Sequence, residues 1–244
     1  MKNKTLFLDF DGVLFNTIME VYLVNRYVFS NVDFLEKPNK NEFNLYSKYK
    51  FLVYNIWMFY YYNQIVFNKP NEEEIIEKFH NALKNRNFEL EEEFCEKFLK
   101  AREKLVENHY DFWKNLEIPY DFFFEIKKLY EEEKIDIVVV SKKNKISIME
   151  RFETFNFKLP SDKIFAREYL KNYSSKGDFL EEYMKENHKN EAIFVDDNTN
   201  NLKNIKNSKI ITMLALWGNN APNETGFEQF EALDKIKKFF NVIK

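Results

Sequence analysis

Residues 6–12 read Leu-Phe-Leu-Asp-Phe-Asp-Gly, an apolar run that closes on two carboxylates one residue apart and then a glycine. The run predicts a buried strand over Leu6–Asp9, with Asp9 and Asp11 aimed from its C-terminal end into a cleft. Clustered negative charge in such a place is tolerable only beside a cation or when partly protonated. The stretch therefore predicts chemistry as well as a strand.

Working outward, further short apolar runs predict strands at Ile135–Val140, Lys163–Ala166, Ala192–Val195 and Ile210–Leu216. Between and after them, apolar residues at helical spacing predict helices at Tyr120–Lys134, Ile146–Phe155, Ser175–Glu186, Asn200–Asn207 and Phe227–Val242. Strands that alternate with helices imply a parallel sheet covered on both faces, an α/β, Rossmann-like core. Asp9, Ser141 and Asp196/Asp197 each follow a predicted strand, which places them at the carboxyl edge where open α/β sheets bind ligands.

Residues 17–112 carry no convincing strand. Their pattern predicts helices at Ile18–Phe29, Asn44–Val66, Glu72–Asn85 and Leu90–Trp113, with breaks at Pro38 and Pro70 and re-entry into the core at Pro119. The expected organisation is a catalytic core of residues 1–16 and 113–244, with 17–112 inserted as an all-helical cap beside the catalytic edge.

The composition is globular, 45% hydrophobic and 32% charged, with 27 Phe and 14 Tyr to fill the cores. A net charge of −3 gives no global drive toward nucleic acid or anionic membranes. The single Cys95 can form no internal disulfide, and no paired Cys/His pattern suggests structural zinc. Asp9 and Asp11 interrupt the N-terminal apolar stretch, which argues against a secretion signal and for a cytoplasmic protein. Asn55, Asn63 and Gln64 likewise interrupt Asn55–Phe67, so a buried helix is expected there and not a membrane span. His80, His109 and His188 form no recognisable catalytic or metal-ligating arrangement. The aromatic run Trp57–Tyr62 reads as helix core or as a substrate-facing surface.

Asp9-Phe10-Asp11-Gly12-Val13-Leu14-Phe15-Asn16-Thr17 resembles the first signature of the haloacid dehalogenase superfamily, in its phosphohydrolase branch. Ser141, Lys176 in Ser-Ser-Lys-Gly-Asp, and the pair Asp196-Asp197 resemble the later signatures, in the same order. The resemblance implies that Asp9 is a nucleophile toward phosphorus and that Asp11 is the general acid and then the general base. Two nearby carboxyls can divide those tasks, one forming the covalent intermediate and one moving protons. Asp11 also sets the chain apart from the dehalogenases and from the ion-pumping ATPases, which carry Thr there.

The same resemblance implies Mg²⁺ held by Asp196, Asp197, the Asp9 side chain and the Asp11 backbone carbonyl, an oxygen-only set suited to a hard cation. Asp197 is expected to ligate directly, and Asp196 directly or through water. Ser141 and the backbone N–H of Lys142 would bind phosphate oxygens, and Lys176 would offset the charge of Asp9 and phosphate, with Lys142, Lys143 and Lys171 as competitors. On this count the four acids exceed Lys176 and a dication by one charge, so a protonated Asp11 would restore neutrality. Asn16 departs from the acidic residue common in the related signature, and Asn201 is either a stabiliser of the acidic loop or a solvent-facing helix residue.

The expectation is a Mg²⁺-dependent phosphatase forming an aspartyl-phosphate from a small phosphorylated metabolite, a sugar or carbohydrate-related phosphate. The alternatives are a phosphomutase of the same superfamily and a catalytically inert metabolite-binding protein.

Overall fold

A computed structural model describes residues 3–68 and 70–242. The chain divides into two compact units, Met1–Asn16 with Ile118–Lys244, and Thr17–Glu117.

The first unit is built on five parallel strands. In chain order its strands are β1 (Lys4–Leu8), β2 (Phe15–Asn16), β3 (Ile118–Pro119), β4 (Ile137–Val140), β5 (Ile164–Phe165), β6 (Glu191–Asp196) and β7 (Ile210–Leu214). The main sheet runs β5-β4-β1-β6-β7, and β2 and β3 form a separate antiparallel pair. In register, Leu8 of β1 faces Val139 on one side and Val195 on the other.

Alternation along the strands sorts side chains to two faces. Leu6, Leu8, Ile137, Val139, Ile193 and Val195 join one core. The helices Asp121–Glu131, Lys145–Thr154 and Gln229–Phe239 add Phe123, Phe152 and Ile236 to it. Phe7, Val138, Val140 and Phe194 point the other way, into a core shared with Phe179, Leu180 and Tyr183 of the helix Lys176–Glu186. Both faces are thus covered, and the strands can be apolar throughout. At the amino end of the sheet Asp136 accepts hydrogen bonds from Thr5 Oγ1 at 2.6 Å, Lys189 Nζ at 2.7 Å and Lys163 Nζ at 3.0 Å. That fully paired cluster ties the strands together and leaves the carboxyl end to carry the reactive groups.

The second unit is helical: Ile18–Ser30, Lys40–Tyr49, Met58–Val66, Ile75–Lys84, Phe88–Asn108 and Tyr110–Trp113. Its core is largely aromatic, with Tyr22, Tyr46, Tyr62, Phe79, Phe98 and Trp113 buried. Met58, Phe59, Tyr61 and Tyr62 lie in that core, so most of the aromatic run Trp57–Tyr62 is accounted for by packing. Several of its polar groups are paired with one another. Arg102 donates twice to Glu20, at 2.6 and 2.7 Å, and Asn63 donates to Asn25, which in turn donates to the Tyr46 hydroxyl at 2.9 Å.

Several boundaries differ from the sequence reading. The return to the first unit falls at Ile118 and not at 113, because Trp113 and Leu116 belong to the helical core while Ile118–Pro119 pairs with Phe15–Asn16. The single helix expected over Asn44–Val66 is two. The first begins at Lys40, where the Asn39 side chain accepts from the N–H groups of Asn41 and Glu42, and the chain turns extended at Val53 before Met58. The helix expected over Asn200–Asn207 is one short turn, Thr199–Lys203. Among the described residues no helix is long and apolar enough to cross a membrane.

Candidate active site

The site lies at the carboxyl ends of β1, β4 and β6, within the first unit. Asp9 continues β1 by donating its N–H to Val195 O at 3.0 Å, and its carboxylate turns back so that Oδ1 accepts from Phe10 N at 2.7 Å. Gly12 then takes φ of +80°, a backbone region that glycine enters without strain. A Cβ there would sit 1.9 Å from Asp197 Oδ2, so the glycine after Asp11 is required both by the turn and by the carboxylate beside it.

Lys176 is the hinge of the arrangement. It opens the helix Lys176–Glu186, whose N-cap Ser175 accepts from Asp178 N, and its Nζ lies 2.8 Å from both Asp9 Oδ2 and Asp196 Oδ2. It is 5% exposed, and despite burial, which pulls a lysine down, the carboxylates of Asp196 and Asp9 hold its ammonium well above the usual range. Asp9 moves in the opposite sense. Burial pushes its carboxyl from the ordinary 3.8 up to about 7, against the pull of Lys176 and with help from Asp196 and Asp197.

The adjacent acids Asp196 and Asp197 have different surroundings. Asp196 is fully buried and accepts four contacts: Asn198 N and Asn201 Nδ2 on Oδ1 at 2.8 and 3.1 Å, Lys176 and Asn201 on Oδ2 at 2.8 and 3.0 Å. These occupy the lone-pair sites of a carboxylate. Asn201, one of two readings in the sequence, is therefore a stabiliser of the acidic loop. Asp197 is held from elsewhere, by Asn219 N and Nδ2 on Oδ2 at 2.8 and 3.1 Å.

Ser141 follows β4, the neighbour of β1, and its N–H pairs with Phe165 O at 3.0 Å while its Oγ accepts from Lys143 N at 3.3 Å. Lys142 is exposed at its residue surface. Partial burial of its ammonium lowers its pKa, Lys176 adds to that, and Asp9 and Asp196 oppose it, so it lies within the field of the acids. Asp11 stands apart from the acidic trio, with its Oδ1 3.3 Å from Lys143 Nζ.

Two participants, Asn219 and Tyr120, were not singled out by sequence, and a third, Lys143, was named only as a competitor of Lys176. Lys143, one of several lysines in its segment, is 2% exposed and gives Asp11 its own cation. With Lys143 included, the four acids, two lysines and a dication sum to neutrality with Asp11 ionised, so protonating Asp11 is no longer needed for charge balance. Asn219 is distant in sequence from the acid it holds. Tyr120 caps the helix Asp121–Glu131, and its hydroxyl is pushed well above its usual range by burial first and then by Asp197 and Asp11.

Asp9, Asp196 and Asp197 each offer a carboxylate oxygen, all within 4.8 Å of one another. An oxygen-only set buried beside glycine backbone, where burial first and then Asp196 and Asp197 raise the Asp9 carboxyl, fits a small hard dication.

A parallel sheet with a helical unit inserted between β2 and β3 is the fold this chain shares with solved haloacid dehalogenase-like proteins. Solved structures carry the comparison to particular proteins. A haloacid dehalogenase superfamily hydrolase, subfamily IA, variant 1, from Geobacter sulfurreducens matches with a TM-score of 0.57 and 13% identity, over 97% of this chain and 96% of that one. A haloacid dehalogenase-like family protein from Streptococcus pneumoniae matches with a TM-score of 0.54 and 11% identity, over 96% and 99%. A protein from Clostridium acetobutylicum described as a predicted phosphatase matches with a TM-score of 0.60 and 12% identity, over 97% and 99%. No protein-family model and no curated protein sequence matches the chain. The resemblance read from the ordered signatures thus holds at the level of fold.

Proposed function

We propose that the protein is a Mg²⁺-dependent phosphatase that hydrolyses a small-molecule phosphomonoester through an aspartyl-phosphate on Asp9. The observation that carries this reading is the buried Lys176 ammonium, 2.8 Å from both Asp9 and Asp196, beside Asp197 at the ends of β1 and β6. That grouping supports a charged nucleophile and a phosphoryl acceptor site in one place. The Clostridium acetobutylicum protein described as a predicted phosphatase, which shares the fold, supports the same reading.

An Asp9 oxygen attacks phosphorus, and the bond between phosphorus and the ester oxygen breaks. Asp11, protonated once the substrate phosphate adds its own negative charge to the site, gives that proton to the departing alkoxide, then takes one from a water that attacks phosphorus and releases Asp9 and inorganic phosphate. Lys143 is placed to stabilise Asp11 in its ionised, base form. Ser141, the Lys142 N–H and Lys176 bind the phosphoryl oxygens, where charge is carried throughout the transfer. Asp9, Asp197 and the Asp11 carbonyl would hold Mg²⁺ directly. Asp196, its oxygens already accepting from Lys176, Asn198 and Asn201, would contribute its charge beside the ion. When bound, the ion supplies charge neutralisation for phosphate and for the acids themselves.

Sugar and polyol phosphates are the first substrates to test, with nucleotides and amino-alcohol phosphates behind them. A screen of phosphomonoesters with Mg²⁺, read as released phosphate, tests the reading. Turnover that is lost in Asp9→Asn supports it, and full activity in that variant overturns the assignment of the nucleophile. An isomeric phosphate formed without net release would replace hydrolysis by mutation.

A further inference from the structure

The loop after β7 folds back onto the acidic turn through three attachments. Trp217 Nε1 donates to Val13 O at 3.0 Å, which ties the loop to the turn that follows Asp11. Gly218 brings bare backbone against the site: a Cβ on it would lie 2.3 Å from Asp197 Cβ and 2.5 Å from Gly12 O. Asn219 then holds Asp197 with both of its N–H groups, as described above.

A carboxylate can only accept, so the Asn219 amide must present its nitrogen to Asp197. The other end of the amide, Oδ1, is buried and has no hydrogen-bond partner. A buried acceptor in that condition carries a desolvation penalty that calls for a donor. The acids around it are acceptors too. A water bound to a cation fits the need, because small hard dications keep several waters when bound by one or two carboxylates.

We propose that Asn219 is a positioning residue of the cation site. Its two N–H groups fix the Asp197 carboxylate for the ion, and its Oδ1 accepts a hydrogen bond from a water that the ion brings. The inference rests on the reading of Asp9 and Asp197 as a Mg²⁺ site. It adds to that reading a reason for the shape of the 217–219 loop: the loop's bare backbone and one amide complete a shell that the acids alone leave open.

The test is Mg²⁺ binding to the full chain by calorimetry, with Mn²⁺ followed by electron paramagnetic resonance, and thermal melting in chelator. Asn219→Ala is expected to bind either ion about tenfold or more weakly, while Asn220→Ala stays within about twofold of the parent chain. Asn220 is a fair control because its Oδ1 is likewise buried without a partner, while its amide donates to Ala215 O at 2.7 Å and not to a carboxylate. Melting in chelator should change little in Asn219→Ala, since the variant loses one side-chain hydrogen bond to Asp197 and, with it, a partnerless buried oxygen. Unchanged affinity in Asn219→Ala, an equal loss in Asn220→Ala, or an affinity loss matched by lower chelator-state stability each overturns the proposal. Should Asn219→Ala not fold, Asn219→Ser carries the same expectation. Failure of the parent chain to bind either ion would overturn the cation site itself, an outcome distinct from tight binding that Asn219→Ala leaves intact.

Discussion

Asp9→Asn is expected to abolish turnover and, in metal-free protein, to remove a pH dependence that the parent chain shows. Burial raises the Asp9 carboxyl from 3.8 to about 7, Lys176 pulls it down, and Asp196 and Asp197 push it up. The folded state therefore binds this proton more tightly than the unfolded chain. Between those two values it carries the greater share of protons, so stability falls as pH rises. The contribution is complete below 3.8 and gone above about 7. At about 1.4 kcal/mol per pH unit the whole span is worth about 4 kcal/mol, of which about 3 kcal/mol is lost between pH 5 and pH 8. Asn titrates nowhere in that range. Its amide nitrogen is a poor partner for Lys176, a loss of about 1.5–3 kcal/mol that is the same at every pH and displaces the curve without bending it. Urea unfolding in chelator at pH 5 to 8, followed by circular dichroism, reads the effect directly. The stability of Asp9→Asn minus that of the parent should climb by about 3 kcal/mol across the range. Parallel profiles for the two proteins would refute the reasoning.

Because a ligating Asp9 must lose its proton, saturating Mg²⁺ should raise the melting temperature more at pH 8 than at pH 5, and an equal rise at both would count against Asp9 as a ligand. Lys176→Met removes the ammonium that Asp9 and Asp196 share at 2.8 Å. It should cost about 3–5 kcal/mol in urea unfolding near pH 8, less at pH 5 where Asp9 takes up a proton, and should lower kcat by at least about 10²-fold. Gly218→Ala places a methyl 2.3 Å from Asp197 Cβ. The overpacking is expected to cost about 1–3 kcal/mol and to weaken Mg²⁺ binding measured by calorimetry, whereas unchanged binding would show that the loop can shift away from Asp197.

The parts of the site that sequence made legible are those written into the strands themselves. Asp9, Ser141 and Asp196/Asp197 each follow an apolar run, and a parallel sheet has one carboxyl edge, so a correct strand order brings them together with no knowledge of contacts. The five strands of the main sheet were legible for the same reason, to within a few residues at each end. The pair β2 and β3 was not, since two residues each give no alternation to detect. The break after Tyr49 was hidden by continuity of apolar residues across it, although Asn39 directly after Pro38 was a readable helix start.

Asn219, and the pairing of Lys143 with Asp11, were illegible for a different reason, and the difference separates two kinds of information. Asp9 and Asp197 must be carboxylates because of what they are proposed to do, and that chemistry restricts the residue types a reader considers. A residue that serves them need only reach them. Lys143 is one of many lysines and is marked out only by its burial, while Asn219 meets Asp197 only because β7 returns the chain to the edge that β6 left. The adjacent acids show what this implies. Asp196 and Asp197 are identical in sequence, yet Lys176, Asn198 and Asn201 occupy one and Asn219 orients the other. Their division of labour is set by neighbours that arrive from three separate segments of the chain, and only the folded arrangement assigns it.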